Sequence, residues 1–308
     1  MEIFKDIGII LVCIVAISKG AAWLVDSAAK IAKRLGISEL VIGLTVVAFG
    51  TSAPEFGVTI LAALRGMGDI SVGNIVGSNI FNLGFILGGT AIFHSLKTNK
   101  TVIRRDGFFL LFGSLLLTGL LWNLQLNRIE GTVLFSLLTL YIGYLYWNKR
   151  PVDAEIPTGE LRWWDPMLLL IGFGMVVGGA HFMVTSAVDL AKAFGISEWV
   201  IGATVVAAGT SAPEFATSLV AALRKRYGIS VGNLIGSDIF NMFGVLGLAA
   251  ILRDLPVDVG ARMNLVILVM MVAMVLVFMR TQWIISRKEG SILVMIGLAR
   301  WAYSFVVK

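Results

Sequence analysis

The stretch that decides the fold is residues 36–64, GISELVIGLTVVAFGTSAPEFGVTILAAL, because residues 195–223 repeat it as GISEWVIGATVVAAGTSAPEFATSLVAAL. The offset is 159 residues without a gap, and 21 of the 29 positions are identical. The match resumes between residues 71–83, SVGNIVGSNIFNL, and residues 230–242, SVGNLIGSDIFNM, with 9 of 13 positions identical. Similarity at one fixed offset indicates a duplicated structural unit.

The composition around this repeat is that of a membrane protein. Of the 308 residues, 57% are hydrophobic and 14% are charged, whereas soluble domains carry roughly 25% charged residues. A cytosolic enzyme or a nucleic-acid-binding protein is therefore excluded, despite the net charge of +6. One cysteine and two histidines are too few for a disulfide framework or a zinc cluster.

Ten stretches are apolar and long enough to cross a hydrocarbon core, which needs roughly 20 residues per helix. The mixed charges at the start of the chain predict that the first apolar run is a span and not a cleavable signal peptide. We therefore expect an all-α polytopic membrane protein with ten transmembrane helices. In chain order, the predicted spans 1 to 10 are residues 7–29, 40–64, 71–93, 107–124, 129–147, 166–190, 199–223, 230–252, 263–280 and 289–306.

The duplicated unit predicts two inverted halves. Its copies, at about 36–83 and 195–242, fall in spans 2–3 and 7–8, and a separation of five spans turns the second copy upside down. The predicted halves are residues 1–147 and 166–308, and they are joined by a linker at 148–165 that is too short to hold a regulatory domain. Inverted repeats are typical of secondary transporters, whose sites lie at the repeat interface near the midplane.

The basic residues predict the orientation. The loops on the side of the linker contain sixteen lysines and arginines, and the loops on the other side contain eight. Because cytoplasmic loops carry the excess of these residues, both termini are expected to face outward.

The motif GTSAPE, at residues 50–55 and again at 209–214, predicts a broken helix in the middle of spans 2 and 7. Pro54 and Pro213 have no N–H group, so the carbonyls one turn earlier lose their helical partners. Free carbonyls at membrane depth survive only where they line a cavity or contact an ion, and the C-terminal end of a half-helix favours a cation.

Glu55 and Glu214 follow these breaks, and a carboxylate at the bilayer centre costs at least ~2.5–3.5 kcal/mol. At equivalent positions of inverted copies, the two are expected to converge. With the carbonyls of Thr51 and Thr210 they supply about six oxygens, which suits Ca²⁺. Neutral oxygens on neighbouring helical faces suit Na⁺; these are in Ser52, Ser78, Asn82, Ser211, Ser237 and Asn241.

With GTSAPE followed twice by GNxxGSxxFN, the whole ten-span sequence resembles the calcium/cation antiporter superfamily, in its sodium/calcium exchanger branch. The resemblance implies a secondary active antiporter that exchanges Na⁺ for Ca²⁺ by alternating access, is electrogenic and needs no cofactor. Proton-coupled relatives typically carry a GNAxE-like motif instead, which favours Na⁺ as the counter-ion. A prokaryotic inner membrane and a functional monomer are the expected setting, in contact with lipid and without nucleic acid.

The resemblance also implies a role for each motif residue. Glu55 and Glu214 would coordinate Ca²⁺ with the carbonyls of Thr51 and Thr210, and Asn82 and Asn241 would close this central site. An asparagine at position 241 resembles the potassium-independent type, since some relatives have aspartate there. The implied flanking Na⁺ sites are formed by the Ala48 carbonyl, Ser52 and Ser78, and by the Ala207 carbonyl, Ser211 and Ser237.

Three other functions stay open at this stage. The first is the same fold driven by H⁺ or another cation, and the second is a passive cation channel. The third, a membrane enzyme, is disfavoured because no hydrolytic or redox group of residues is present. The roles of Lys19, Asp26 and Asp238 also stay open: Lys19 lies in the middle of span 1, and Asp238 has Asn79 as its equivalent in the first copy.

Overall fold

The computed structural model describes residues 2–148, 160–195 and 207–306, and these form an almost entirely helical protein. Seven of the described helices are long and apolar enough to cross a membrane, and the bent second span makes an eighth. The linker and the first part of span 7 lie largely outside the described residues. In the order of spans 1 to 10, the helices are Glu2–Leu35; Glu39–Thr51 with Ala53–Leu64; Gly68–Phe93; Val102–Asn123; Arg128–Trp147; Asp165–Ala193; Ala207–Thr210 with Ala212–Leu223; Tyr227–Leu252; Gly260–Arg280; and Arg287–Val306.

Span 1 is longer than predicted because its basic residues stay helical beyond the apolar run. Lys30, the first of them, donates to Asp165 Oδ1 at the start of span 6, at 2.8 Å. The helix ends where Gly36 adopts φ +66°, and the Ile37 N–H closes the last turn on the Ala32 carbonyl. Gly195, with φ +74°, ends span 6 in the same way, so each repeated segment begins at an equivalent turn.

The two predicted helix breaks are present. Span 2 bends by 54° between Thr51 and Ala53. Ser52 has φ −78° and ψ +10°, and Ser211 has φ −90° and ψ +8°, so neither serine continues the helical backbone. Each proline lies in the first turn of the following half-helix, where its missing N–H costs no hydrogen bond.

Spans 3 and 8 form the centre of the molecule. In their most apolar windows 72% and 83% of the residues are buried, against 28% for span 1 and for span 6. Spans 1 and 6 instead cross each other at the periphery. A Cβ on Gly20 would lie 2.7 Å from Met175 Cβ, and one on its equivalent Gly179 would lie 2.8 Å from Ile17 Cγ1, so both positions need glycine for close approach.

Four two-residue strands connect the loops at the ends of the spans. Strand β1 (Leu96–Lys97) pairs antiparallel with β4 (Ile284–Ile285), and β2 (Gln125–Leu126) pairs antiparallel with β3 (Leu255–Pro256). The first pair joins the loops after spans 3 and 9, and the second joins the loops after spans 4 and 8. Loops that follow odd-numbered spans therefore meet at one face, and loops that follow even-numbered spans meet at the other, as ten alternating spans require.

Ion pairs follow the same rule at the linker face. Lys30 binds Asp165, and Arg226 Nη1 lies 2.7 Å from Glu39 Oε1. A third pair joins Arg224, after span 7, to Asp26 near the end of span 1. These contacts hold the ends of spans 1, 2, 6 and 7 together and confirm the inverted topology predicted from the repeat.

Candidate functional site

The broken helices of the two halves meet at the middle of the protein. The Ser52 hydroxyl donates to Glu214 Oε1, and the Ser211 hydroxyl donates to Glu55 Oε1, both at 3.0 Å. All four side chains are 0% exposed. Because residues 52 and 55 are equivalent to 211 and 214, these two contacts are one contact repeated by the inversion. The structure thus brings the two glutamates together at the repeat interface.

Five buried oxygens around this contact have no hydrogen-bond donor. All are acceptors, and an unsatisfied buried acceptor costs roughly 1–3 kcal/mol. A hard cation satisfies such a set, because carboxylate and amide oxygens are its preferred ligands. The five atoms are Glu55 Oε2, Glu214 Oε2, Asn82 Oδ1, Asn241 Oδ1 and Asp238 Oδ2.

The site contains few acids. Among the described residues, no three His, Cys, Asp or Glu side chains form a ready metal cluster. The unsatisfied set is therefore made of carboxylates supplemented by neutral oxygens, an arrangement that suits hard cations and not Zn²⁺ or Cu⁺.

The hydroxyls of the first half-helix pack against span 8. Thr51 Oγ1 donates to Asn233 Oδ1 at 3.0 Å and lies 3.5 Å from Ser237 Oγ. The Ala48 carbonyl accepts from the Ser52 N–H at 3.0 Å and lies 3.3 Å from Thr51 Oγ1. This end of the site is consequently closed by direct contacts.

The equivalent residues of the second half lie at the other end. The described part of the first half-helix of span 7 is Ala207–Thr210, and the Thr210 hydroxyl interacts with the Glu55 carboxylate. Ser78, the equivalent of Ser237, lines a cavity of about 130 Å³ together with Asn74, Ala208 and Arg300. The two ends of the site thus differ: one is packed shut, and the other has room for water or an ion beside Ser78.

Two asparagines that the sequence analysis did not place in the site support the glutamates from behind. Asn74 Nδ2 donates to the Glu55 carbonyl at 3.3 Å and to Thr59 Oγ1 at 3.0 Å. Asn233 Nδ2 donates to the Glu214 carbonyl at 3.3 Å and to Ser218 Oγ at 2.9 Å. The signal was available, because Gly-Asn occurs at the same place in both copies of the repeat.

Asp238 does reach the site. It is 0% exposed, and its Oδ1 accepts from Asn82 Nδ2 at 2.9 Å. Its main-chain carbonyl accepts from Asn79 Nδ2 at 3.1 Å, and Asn79 Oδ1 in turn accepts from Asn241 Nδ2 at 3.1 Å. A chain of amides thus connects Asp238 to both asparagines of the predicted central site.

Lys19 and Asp26 lie away from the site. Lys19 is exposed on span 1, and the carboxylate of Asp26 pairs with Arg224. His94 Nε2 lies 2.7 Å from the Tyr227 hydroxyl, between the loop after span 3 and the start of span 8. That contact is at the linker face, so this histidine does not serve the GTSAPE motif.

Two inverted halves, each with a broken helix that carries a buried glutamate to a shared interface, define a secondary active transporter. The family described as sodium/calcium exchanger protein matches residues 5–148 and 164–300. The chain is 35% identical over 300 residues to the putative antiporter CaxA of Alkalimonas amylolytica, covering 93% of this chain and 94% of that protein. It is 32% identical over 338 residues to the sodium/calcium exchanger MaX1 of Methanosarcina acetivorans, covering 94% and 96%.

The fold agrees with that of a solved relative. A structure of the sodium-calcium exchanger NCX_Mj superposes with a TM-score of 0.85 and 31% sequence identity, covering 97% of this chain and 98% of that one. The chain therefore belongs to the sodium/calcium exchanger family. It is an integral membrane cation/Ca²⁺ antiporter and not an enzyme.

Proposed function

We propose that the protein exchanges Na⁺ for Ca²⁺ by alternating access, with both ions competing for the Glu55/Glu214 site. The observation that carries this proposal is the pair of mirrored 3.0 Å contacts between each glutamate and the serine of the other half. Each carboxylate keeps one oxygen free of hydrogen bonds, and two negative charges balance one Ca²⁺ or two Na⁺. Competition for the same carboxylates is what couples the two ions.

The central site is assigned to the two carboxylates, the main-chain carbonyls beside them and the amide oxygens that close the site. Asp238 lies beside this set and holds Asn82, because its Oδ1 accepts from Asn82 Nδ2. Ser52 and Ser78 with the Ala48 carbonyl form one flanking Na⁺ site. The inverted set, Ser211 and Ser237 with the Ala207 carbonyl, forms the other. The proposed central ligands are Glu55, Glu214, Thr51, Thr210, Asn82 and Asn241.

Alternating access follows from the inversion. The contacts of Thr51 close the end of the site nearer the linker face, whereas the cavity beside Ser78 lies at its other end. Spans 1 and 6 pack on each other at Gly20 and Gly179. Their movement against the buried core would open the end of the site that is now closed and close the end that now has a cavity. With both termini outside, as we propose, the cavity lies at the extracellular end of the site, in a prokaryotic inner membrane.

The ionic charges suggest that transport is electrogenic and independent of K⁺. Exchange of three Na⁺ for one Ca²⁺, as in the resembling family, moves one net charge per cycle, worth about 2.3 kcal/mol per 100 mV. Asparagine at position 241 favours the potassium-independent type. A single chain contains both halves of the site, which supports a functional monomer.

The test is ⁴⁵Ca²⁺ uptake into proteoliposomes under an outward Na⁺ gradient. We expect uptake that requires Na⁺, whereas a pH gradient alone drives none. Uptake that ignores Na⁺ but follows the pH gradient would assign H⁺ as the driver. Ca²⁺ flux without any counter-ion would indicate a channel.

The Glu214→Gln variant should lose Na⁺-driven uptake by roughly a hundredfold or more, because a buried ion loses its charge partner. Glu160→Gln is the matched control, since Glu160 is exposed and lies outside the spans. Ordinary uptake by Glu214→Gln would contradict the assigned site.

Electrogenic exchange predicts that voltage changes the initial rate of this uptake. A K⁺ gradient with valinomycin sets the membrane potential. An interior-positive potential should speed Ca²⁺ uptake coupled to the exit of three Na⁺, and an interior-negative potential should slow it, because one net positive charge leaves the vesicle per cycle. Equal rates at both potentials would mean electroneutral exchange.

A further inference from the structure

A groove between spans 4 and 9 opens at the linker face, away from the cation site. Its volume is about 740 Å³. Phe108 and Leu111 of span 4 and Val277 of span 9 line it with apolar surface. The two spans touch directly at Gly107, where an added Cβ would lie 2.3 Å from Leu276 Cδ2. The groove is therefore an apolar channel along two helices.

Three cationic side chains line one end of this groove: Lys100, Arg104 and Arg280. All three are exposed, and within the described residues none of them has a carboxylate partner. The neighbouring carboxylate of Asp106 is held by Arg105, with Nε 2.6 Å from Oδ1. The apolar groove thus ends at a concentration of positive charge that no carboxylate in the described part of the chain neutralises.

The charged end is held in a fixed shape. The loops on its two sides are joined by the β1–β4 pair, and Thr98 adds two hydrogen bonds across them. Its N–H donates to the Trp283 carbonyl at 2.8 Å, and its hydroxyl donates to the Met279 carbonyl at 2.9 Å. The Arg280 guanidinium lies 4.6 Å from the centre of the Trp283 ring, which positions it at the groove.

The inverted copy of this groove lacks these three cations, although one arginine, Arg262, lies there at the equivalent of Ile103, with its guanidinium over the Trp122 ring. This copy lies between the same two spans at the opposite face, where the offset of 159 residues puts apolar side chains at all three positions. The repeat fold therefore does not require cations at these three positions, and the cluster of three occurs at one face only. The equivalents of Lys100, Arg104 and Arg280 are Val259, Met263 and Leu121.

We propose that this groove binds an anionic phospholipid of the leaflet at the linker face. The phosphate lies among Lys100, Arg104 and Arg280, and an acyl chain follows the apolar walls. Basic pockets between transmembrane helices on the cytoplasmic side have this preference for acidic lipid headgroups. A free phosphate would satisfy the cations but leave the apolar walls empty, whereas a phospholipid matches both. Trp283 stands at the boundary, where aromatic rings anchor to the headgroup level.

The experiment measures the thermal stability of the purified protein in detergent with added lipid, and counts bound lipid by native mass spectrometry. Dioleoylphosphatidylglycerol is the anionic probe, and dioleoylphosphatidylcholine is the zwitterionic one. We expect the anionic lipid to raise Tm by about 2–4 °C more than the zwitterionic lipid. Equal shifts, or shifts reproduced by glycerol phosphate or inorganic phosphate, would overturn the proposal.

The Lys100→Gln/Arg104→Gln/Arg280→Gln variant should lose this difference and one bound anionic lipid. The matched control is Arg34→Gln/Arg287→Gln/Lys288→Gln, which removes the same charge from exposed positions at the same face and should keep both. If both variants lost the Tm difference and the bound lipid, the effect would come from general surface charge, and the proposed site would be refuted. Ala273→Trp fills the groove without changing its charge and should also abolish binding; retained binding there would place the lipid elsewhere.

Discussion

At the scale of residues, the site is built from contacts that occur twice. The serine after each half-helix binds the glutamate of the other half, and an asparagine on the following span holds the main chain of each glutamate. A side chain that departs from this symmetry is therefore informative. Asp238 is such a residue, because its equivalent in the first copy is Asn79, and its extra carboxylate lies beside Asn82.

The Asp238→Asn variant should weaken Ca²⁺ binding by about tenfold, because it removes one charge near the bound ion. It keeps an acceptor for Asn82 Nδ2, so a purely structural role predicts almost no change. Isothermal titration of the purified protein with Ca²⁺ measures the difference.

The inversion supplies a stringent control for that variant. Adding Asn79→Asp returns a carboxylate to the equivalent position in the other copy, where it faces Asn241. We expect the double variant to recover most of the lost affinity. A double variant no tighter than Asp238→Asn alone would show that the charge does not act on a shared central site.

At the scale of elements, the helices fall into two groups with different roles. The broken spans 2 and 7 and the buried spans 3 and 8 form the site, whereas spans 1 and 6 pack mainly on each other through glycines. This division explains why glycines on the same helix differ in importance. An added Cβ on Gly20 would lie 2.9 Å from the Gly172 carbonyl oxygen, but one on Gly8 would have no neighbour within 4 Å.

Gly20→Ala should therefore destabilise the protein by about 1–3 kcal/mol, the usual cost of overpacking. Gly8→Ala, in the same helix, should be neutral or slightly stabilising, because alanine favours a helix over glycine. Thermal unfolding in one detergent compares the two. Equal melting temperatures would mean that spans 1 and 6 do not pack as closely as described.

The broken helices were predictable from sequence, because proline acts on its own helix. Repetition at one offset likewise predicted the inversion and the meeting of Glu55 with Glu214. The roles of Asn74 and Asn233 were not predictable, because they depend on how closely spans 3 and 8 approach the main chain of the half-helices. The ion pair of Asp26 with Arg224 was missed for the same reason, since it joins residues 198 positions apart.

At the scale of the whole molecule, the distribution of basic residues and the pairing of the loops distinguish the same two faces. Loops of equal parity meet through β1–β4 and β2–β3, and the face that carries the linker has the excess of basic residues. In the groove between spans 4 and 9, three of these basic residues are clustered at one place on that face.

The orientation can be measured because the chain has only one cysteine, the buried Cys13. In a Cys13→Ala background, we expect Arg65→Cys to react with an impermeant maleimide on intact cells. Arg34→Cys, at the linker face, should react only after permeabilisation. The reverse pattern would put both termini in the cytoplasm.

The two strand pairs have a consequence for how such a protein arises. Each pair takes one strand from either half, and the offset of 159 residues makes β3 the counterpart of β1 and β4 the counterpart of β2. Two separate copies of a half-length ancestor, inserted in opposite orientations, would hold each other by this same reciprocal exchange at both faces. In the single chain these strand pairs hold the two halves together at both faces, without any contribution from the linker.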